Sequence, residues 1–226
     1  MTIKLYELCG AHDTLLFSPH CWKTRLSLAH KGLDFETVPV PFTQVASTEG
    51  EGRRVPIMRD GDTVVEDSFE IAKYLDEKHP DKPKLIGDEA LTAFIINWTQ
   101  TQLHPAVVQL CLMDIYNALA PEDQAFFRTT REKVFGMTLE EFHAKFPKTP
   151  DALNKALVPL ELTLKKQDFI GGENPQFADY VAFGALQWLR IFTGDTFLPK
   201  DNNMARWLNA LLDMYDGDGR KAQLAA

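Results

Sequence analysis

The hydrophobic period of the chain changes near residue 80. Before it, short strand-like runs alternate with two helical patterns; after it, only helical patterns follow. IKLYEL at 3–8 predicts a first strand, and the polar, glycine-containing GAHDT separates it from a helix beginning near Ser18. In that helix Trp22, Leu26 and Ala29 share one side, Lys23, Arg25 and Lys31 supply polar positions, and Gly32 marks the end. FETVPV at 35–40 predicts a second strand, followed by a polar stretch through 41–53 whose pattern specifies no element. VPIM (55–58) and TVVE (63–66) flank the turn signal RDGD and predict a hairpin. DSFEIAKYLDEKHP is helical again: Ile71, Leu75 and Lys78 share a face beside Phe69 and Ala72, Asp67 or Ser68 caps the start, and Pro80 stops it.

DKPKLIGD at 81–88 has the composition of a linker. Beyond it Phe94, Trp98, Leu103, Val107 and Leu110 form a long apolar stripe, which Pro105 is expected to bend or divide because it lacks a backbone donor. Further helices are predicted to begin near Pro121, Thr138, Asp151, Phe177 and Met204, with Thr138 and Glu141 spaced as a capping box. This half reads as an all-helical second domain without an internal repeat.

Composition narrows the function classes. The 226 residues are 45% apolar and 25% charged, the balance of an ordinary globular protein with a sizeable core. A formal charge of −8 argues against nucleic acid as a partner, since replacing phosphate counterions needs cations, but it does not exclude a local basic pocket. Cys9, Cys21 and Cys111 make no metal-ligand doublet and are an odd count, which fits a reducing compartment. The six histidines fall in no metal-binding pattern, so no metal is expected. With neither a signal-like start nor a run of apolar residues long enough to span a membrane, the expected location is cytoplasmic.

The chemistry turns on FSPHCWKTR, residues 17–25. Ser18 precedes a proline at a helix start, so its oxygen can cap the helix. The same hydroxyl, beside the unpaired amides of a helix N-terminus, can instead be aimed at a group that reacts. Cys21, one turn on, is either a small buried apolar residue or a redox thiol. His20 is close enough in sequence to assist proton transfer or to make a simple helix-start hydrogen bond.

FSPHCWKTR, RRVPIM, VVEDSFEIAKYLDEKHP, GGENPQFADYVAFGALQW and ARWLNALLDMYDGDGR, in this order and separation, resemble the glutathione S-transferase family. Within it they look like the group that includes the bacterial glutathione-dependent β-etherases acting on lignin-derived aryl ethers. The resemblance implies an α/β thioredoxin-like N-terminal domain with a mixed sheet over 1–80, a linker at 81–88, and an all-α glutathione-transferase domain over 89–226. It implies glutathione as cosubstrate, a hydrophobic aromatic small molecule as acceptor and a homodimer. Ser18 takes the catalytic position, Pro56 the cis-proline position with Val55 offering backbone hydrogen bonds, Asp67 and Ser68 the pair that holds the γ-glutamyl end, and Arg54 the place near the glycyl carboxylate, with Arg53 as its competitor. Phe17, Trp22, Trp98, Leu103, Val107, Leu110, Tyr116 and Trp188 are candidates for the acceptor pocket or the core. Ala178 and Asp179 resemble the buried helix-start motif, with Gln176 where the family carries serine or threonine.

The implied reaction is attack by a serine-stabilised glutathione thiolate on an aromatic electrophile, with cleavage of β-aryl ethers as its narrower form. Two other readings stay open: a ligandin-like binder without turnover, and a Cys21-dependent glutathione thiol-disulfide oxidoreductase.

Overall fold

The computed structural model describes residues 2–50 and 54–225. Four strands, β1 (Ile3–Leu8), β2 (Phe35–Val40), β3 (Ile57–Asp60) and β4 (Thr63–Glu66), form one mixed sheet in the order β2-β1-β3-β4. β1 runs parallel to β2, with Ile3 opposite Phe35 and Leu8 opposite Val40, and antiparallel to β3. β3 and β4 pair antiparallel from Ile57–Glu66 to Asp60–Thr63. The predicted hairpin is therefore displaced: Arg59 and Asp60 belong to the strand, and the connection contracts to Gly61 and Asp62, with Gly61 at φ +62°, a conformation that costs glycine little. The stretch without a predicted element contains a 3₁₀ helix, Phe42–Ser47.

Helix α1 (Pro19–His30) joins β1 to β2, and α2 (Ser68–Lys78) follows β4. After the irregular residues 79–88 come α3 (Glu89–Trp98), α4 (His104–Asn117), α5 (Pro121–Phe135), α6 (Leu139–Lys145), α7 (Asp151–Leu164), α8 (Phe177–Thr193) and α9 (Asn203–Lys221). The long element is divided just ahead of Pro105, as expected, but without leaving helical geometry. A π-helical turn, Thr99–Leu103, connects α3 to α4 with helical backbone angles at both ends. The extra residue in that turn accommodates the carbonyl that proline can neither bond nor clear.

The polar residues of α1 correct the amphipathic reading. Lys23 and Lys31 are almost fully buried, as is the Glu7 that pairs with Arg25. The reason is that α1 lies between the sheet and the equally buried α8, so it has no solvent face along most of its length. Buried charge must be compensated. Arg25 accordingly donates to Glu7 at 2.6 Å, to Thr37 at 2.8 Å and to Asp218 at 3.3 Å, while Lys31 meets Asp76 at 2.6 Å.

α1 and α8 approach each other closely at Gly184. A Cβ there would lie 2.4 Å from the carbonyl oxygen of Pro19, so only glycine allows α8 to press against the first turn of α1. The start of α8 is fixed by Asp179, which accepts from the backbone amides of Ile170 (2.7 Å), Gly171 (3.0 Å) and Gln176 (3.0 Å) and from Trp207 Nε1 (2.8 Å). Gln176 serves through its backbone amide, so the missing serine or threonine is no obstacle at this end. α9 is interrupted at 214–217, where Tyr215, Asp216 and Gly217 have positive φ, and Tyr215 there hydrogen-bonds Tyr180 on α8 and His30 on α1.

Candidate active site

Two neighbouring chambers open where the sheet meets the helices. The smaller, about 390 Å³, is bounded by His20, Lys23, Arg54, Val55, Pro56, Glu66, Asp67, Ser68, Phe69, Ile96 and Gln100. The larger, about 600 Å³, is walled by Phe17, Ser18, the 3₁₀ helix, and faces of α4, α5 and α8. His20, Arg54 and Val55 line both.

Ser18 is the N-cap of α1, with extended backbone (φ −61°, ψ 123°), and its Oγ accepts from the Cys21 amide at 3.4 Å. That bond is long for its kind. A capping serine uses a lone pair of its oxygen, so its proton remains available to donate, here toward the Cys21 thiol. The two roles open to Ser18 in sequence are therefore compatible in one geometry. Trp22 fixes the approach to this residue by donating Nε1–H to the Leu16 carbonyl at 3.0 Å.

The Val55–Pro56 peptide is cis. Asp67 caps α2: its Oδ1 accepts from Phe69 N at 2.7 Å and Glu70 N at 3.4 Å, and among the described residues Oδ2 has no partner. The Asp67 backbone has φ +70° and ψ +131°, an uncommon conformation for a residue with a side chain. Ser68 follows it, buried at the first position of the helix. Arg54 is exposed at the rim of both chambers, while Arg53 lies outside the described residues.

Lys23 was legible in sequence only as a polar helix position, yet it lies in the wall of the smaller chamber. Burial lowers its ammonium to about 8, opposed by attraction to Asp67. Its Nζ is 3.1 Å from His20 Nδ1. An ammonium only donates, so Nδ1 must accept, and the proton of a neutral His20 imidazole then resides on Nε2. Neutrality is enforced: burial, followed by Lys23, His104 and Arg54, holds His20 well below the usual histidine range. His104 touches His20 edge to face at 5.3 Å and is pushed down to about 3 by burial and then Lys23.

Of the pocket candidates named from sequence, Phe17 and Trp188 line the larger chamber. Leu103, Val107 and Leu110 are buried in the core instead, and Trp22 is buried against Phe183. Trp98 and Tyr116 line neither chamber; Tyr116 carries the Arg128 guanidinium over its ring at 4.8 Å. The chamber is faced by the adjacent stripe of α4, His104, Val108, Leu112 and Ile115, about 100° around the helix from the stripe predicted. α5 supplies Phe126, Phe127, Arg131, Val134 and Phe135. These residues were missed because their helix had no assigned partner; Asp123 supplies it, accepting from Phe42 N (3.1 Å), Thr43 N (2.9 Å) and Thr43 Oγ1 (2.9 Å), which draws the 3₁₀ helix over the opening.

Cys21 lines neither chamber and is buried, with its thiol pushed up to about 12 by desolvation and then by Glu7. A thiol in that state supplies little thiolate near neutral pH, which weighs against a redox role. Cys9, Cys21 and Cys111 are all free. Among the described residues no His, Cys, Asp and Glu converge as a metal set, and no helix is long and apolar enough to cross a membrane.

Comparison with known proteins gives this geometry its family. Residues 14–83 match the glutathione S-transferase N-terminal domain and residues 90–214 the glutathione S-transferase C-terminal domain. A relative from Arabidopsis thaliana, glutathione S-transferase Z1, is 40% identical over 72 residues, which cover 29% of this chain and 33% of the relative. The first three curated relatives are matched over only 33%, 48% and 50% of their own length. The fold is similar to that of a glutathione transferase from Phanerochaete chrysosporium, with a TM-score of 0.81 at 24% identity over 93% of this chain and 96% of that one. A second solved structure, a glutathione S-transferase of Ceriporiopsis subvermispora in complex with glutathione, gives 0.77 at 24% identity over 96% and 97%. At such identity these neighbours speak for the fold: a thioredoxin-like sheet domain followed by a helical domain. With both characteristic domains matched in order and the helical one spanning more than half of the sequence, the chain belongs to the glutathione S-transferase family.

Proposed function

We propose that the protein is a glutathione transferase whose smaller chamber holds the peptide while the larger one holds an apolar electrophile. In this reading residues 1–80 form the glutathione-binding unit, 81–88 the linker and 89–226 the acceptor-binding unit. The observation that carries it is the junction: two chambers of different chemistry share His20, Arg54 and Val55, and the Ser18 hydroxyl stands beside them at a helix N-terminus. The neighbour from Ceriporiopsis subvermispora, solved with glutathione, supports the peptide as cosubstrate.

Glutathione has two carboxylates, one ammonium and one thiol; the smaller chamber offers a counterpart for each charged group, and Ser18, in the adjoining wall of the larger one, offers a counterpart for the thiol. Asp67 Oδ2 takes the ammonium, while the Ser68 hydroxyl and the α2 amides take the γ-glutamyl carboxylate. Val55 pairs with the cysteinyl backbone, and Arg54 faces the glycyl carboxylate. The sulfur then rests by Ser18, whose O–H and helix amides favour the thiolate over the thiol. His20 adds a second donor through Nε2–H, kept in that tautomer by Lys23.

Transfer consists of the sulfur lone pair forming a bond to the electrophilic carbon as the leaving group departs with its electron pair. Holding both reactants at the junction supplies proximity, and the preformed donors stabilise developing charge. An aryl ether bearing a ketone on the adjacent carbon is the narrower substrate form, with aryloxide as the leaving group. The half-exposed Leu91 and largely exposed Phe94 on α3 give the homodimer an apolar face to cover, and three free cysteines suit a cytoplasmic location.

The test is mass-resolved product analysis after incubation with glutathione and a panel of aryl halides, aryl ethers and glutathione mixed disulfides. The reading requires saturable formation of thioether products. Tight binding without turnover would establish the ligandin alternative, and disulfide reduction abolished by Cys21→Ala would establish the redox one.

A further inference from the structure

The protein is acidic overall, with a formal charge of −8, yet none of the described residues lining the larger chamber is an acid. Two arginines do line it, Arg54 at the rim and Arg131 in the wall among Phe127, Val134 and Phe135. Arg131 stands out on its own helix. Arg128, one turn earlier, is held by Glu132 at 2.8 Å and Glu140 at 2.7 Å and is raised above the ordinary guanidinium range chiefly by Glu140. Arg131 has no acidic partner among the described residues; its guanidinium rests over the Phe127 ring at 5.1 Å, and burial alone lowers it. The acid on the same face, Asp123, is committed to the 3₁₀ helix through its three hydrogen bonds.

A partly desolvated cation without a counter-ion is costly, and a bound anion removes that cost. The surrounding aromatic walls set the rest of the ligand's chemistry. We propose that the larger chamber selects acceptors that carry a carboxylate on an aromatic body, with Arg131 as the counter-ion that orients them. This rests on the glutathione-transferase reading for the reaction but not for the binding. The geometry of a guanidinium suits a carboxylate, which it meets through two parallel N–H···O bonds. Glutathione does not supply that anion, because Arg131 lines the chamber beyond the peptide cleft.

Two matched probe pairs test the assignment in the full-length protein. Equilibrium binding of 2-naphthoate and the neutral 2-naphthamide is followed by quenching of tryptophan fluorescence, since Trp188 lines the chamber. Turnover with glutathione is measured on 4-chloro-3-nitrobenzoate and its neutral amide. In Arg131→Met the dissociation constant for naphthoate rises at least about tenfold, the scale of a lost charged hydrogen bond, while that for naphthamide changes less than about twofold. Arg131→Lys, which keeps the charge without the fork, falls between. The KM for the benzoate rises in parallel and glutathione affinity is unchanged, which also verifies folding. Equal weakening of both members of a pair would reduce Arg131 to a packing residue on Phe127 and overturn the proposal. So would unchanged naphthoate binding, or a preference lost with Arg54→Met and not with Arg131→Met. If no electrophile is turned over, the transferase reading fails while the naphthoate arm still decides the anion site.

Discussion

The two chambers are built in opposite ways. The smaller one is made of short local pieces: a helix cap at 67–68, a cis peptide at 55–56 and one turn of α1. Its polar groups are backbone amides and side chains whose orientation follows from the adjacent helix start. The larger one draws scattered residues from α1, the 3₁₀ helix, α4, α5 and α8, and among the described residues its walls are apolar apart from two histidines, Ser18, Trp188 and two arginines. A ligand with a fixed set of charges suits a site of the first kind. Acceptors of varied shape suit the second, where exchange of one side chain alters the space without disturbing a cap.

Breaking the junction between them gives the largest expected effect. Ser18→Ala is expected to lower kcat/KM for thioether formation about 100-fold, the scale of one lost charge-stabilising donor. The bound thiol's apparent pKa, read from thiolate absorbance, should rise. Because the capping bond is 3.4 Å long, stability should fall by less than about 1 kcal/mol. An undiminished rate with an unshifted thiol would remove Ser18 from the chemistry.

Gly184→Ala strikes the same junction from behind. The new methyl group meets the Pro19 carbonyl, so chemical denaturation should show a loss of about 1–3 kcal/mol, with reduced activity from displacement of the Ser18 turn. Asp67→Asn separates the cap from the charge in the smaller chamber: asparagine still accepts from the Phe69 amide and tolerates positive φ, but cannot attract an ammonium. The KM for glutathione should rise about tenfold while the naphthoate affinity of the larger chamber stays constant. Asp67→Ala should cost a further 1 kcal/mol or so of stability through the lost cap.

The smallest effect is a pH dependence on the side of the larger chamber. His104 stays neutral in the fold down to about pH 3, whereas the unfolded chain protonates it near 6.5. Below 6.5 the unfolded state binds more protons, so stability falls as pH drops toward 3. In His104→Gln the loss between pH 7 and 5.5, measured by urea denaturation, should shrink by about 1 kcal/mol. An identical slope in both proteins would show that His104 remains solvated in solution.

The difference in construction also explains what could be read from the amino acids. Val55-Pro56 and Asp67-Ser68 in the smaller chamber, and Ser18-Pro19 at its junction with the larger, are neighbours in sequence, so these words could be read before any fold is known. Lys23 was hidden because a lysine in a helical pattern predicts a solvated face, whereas tertiary packing buries it beside His20, Asp67, Phe69, Ile96 and Gln100. The stripe of Leu103, Val107 and Leu110 is the more apolar face of α4, and it went to the core for that reason. The chamber received the next stripe, where His104 interrupts the apolar run. Phe42, Arg131 and Phe135 became a single wall only through the Asp123 anchor, a contact between residues about 80 positions apart.

The sequence alone determined the strand and helix order of the first 80 residues, the helical character of the rest, the capping box at Thr138 and that a cap lies at Ser18 and at 67–68, because these follow from periodicity and from hydrogen bonds reaching only two or three residues. The tertiary structure decided which helix faces became cavity and which became core, which charges were buried, and that Arg131 on α5 was left facing a hollow lined by no acid among the described residues. Such outcomes depend on the partner across the interface. A helix carries its own pattern, but the surface that covers it comes from elsewhere in the chain.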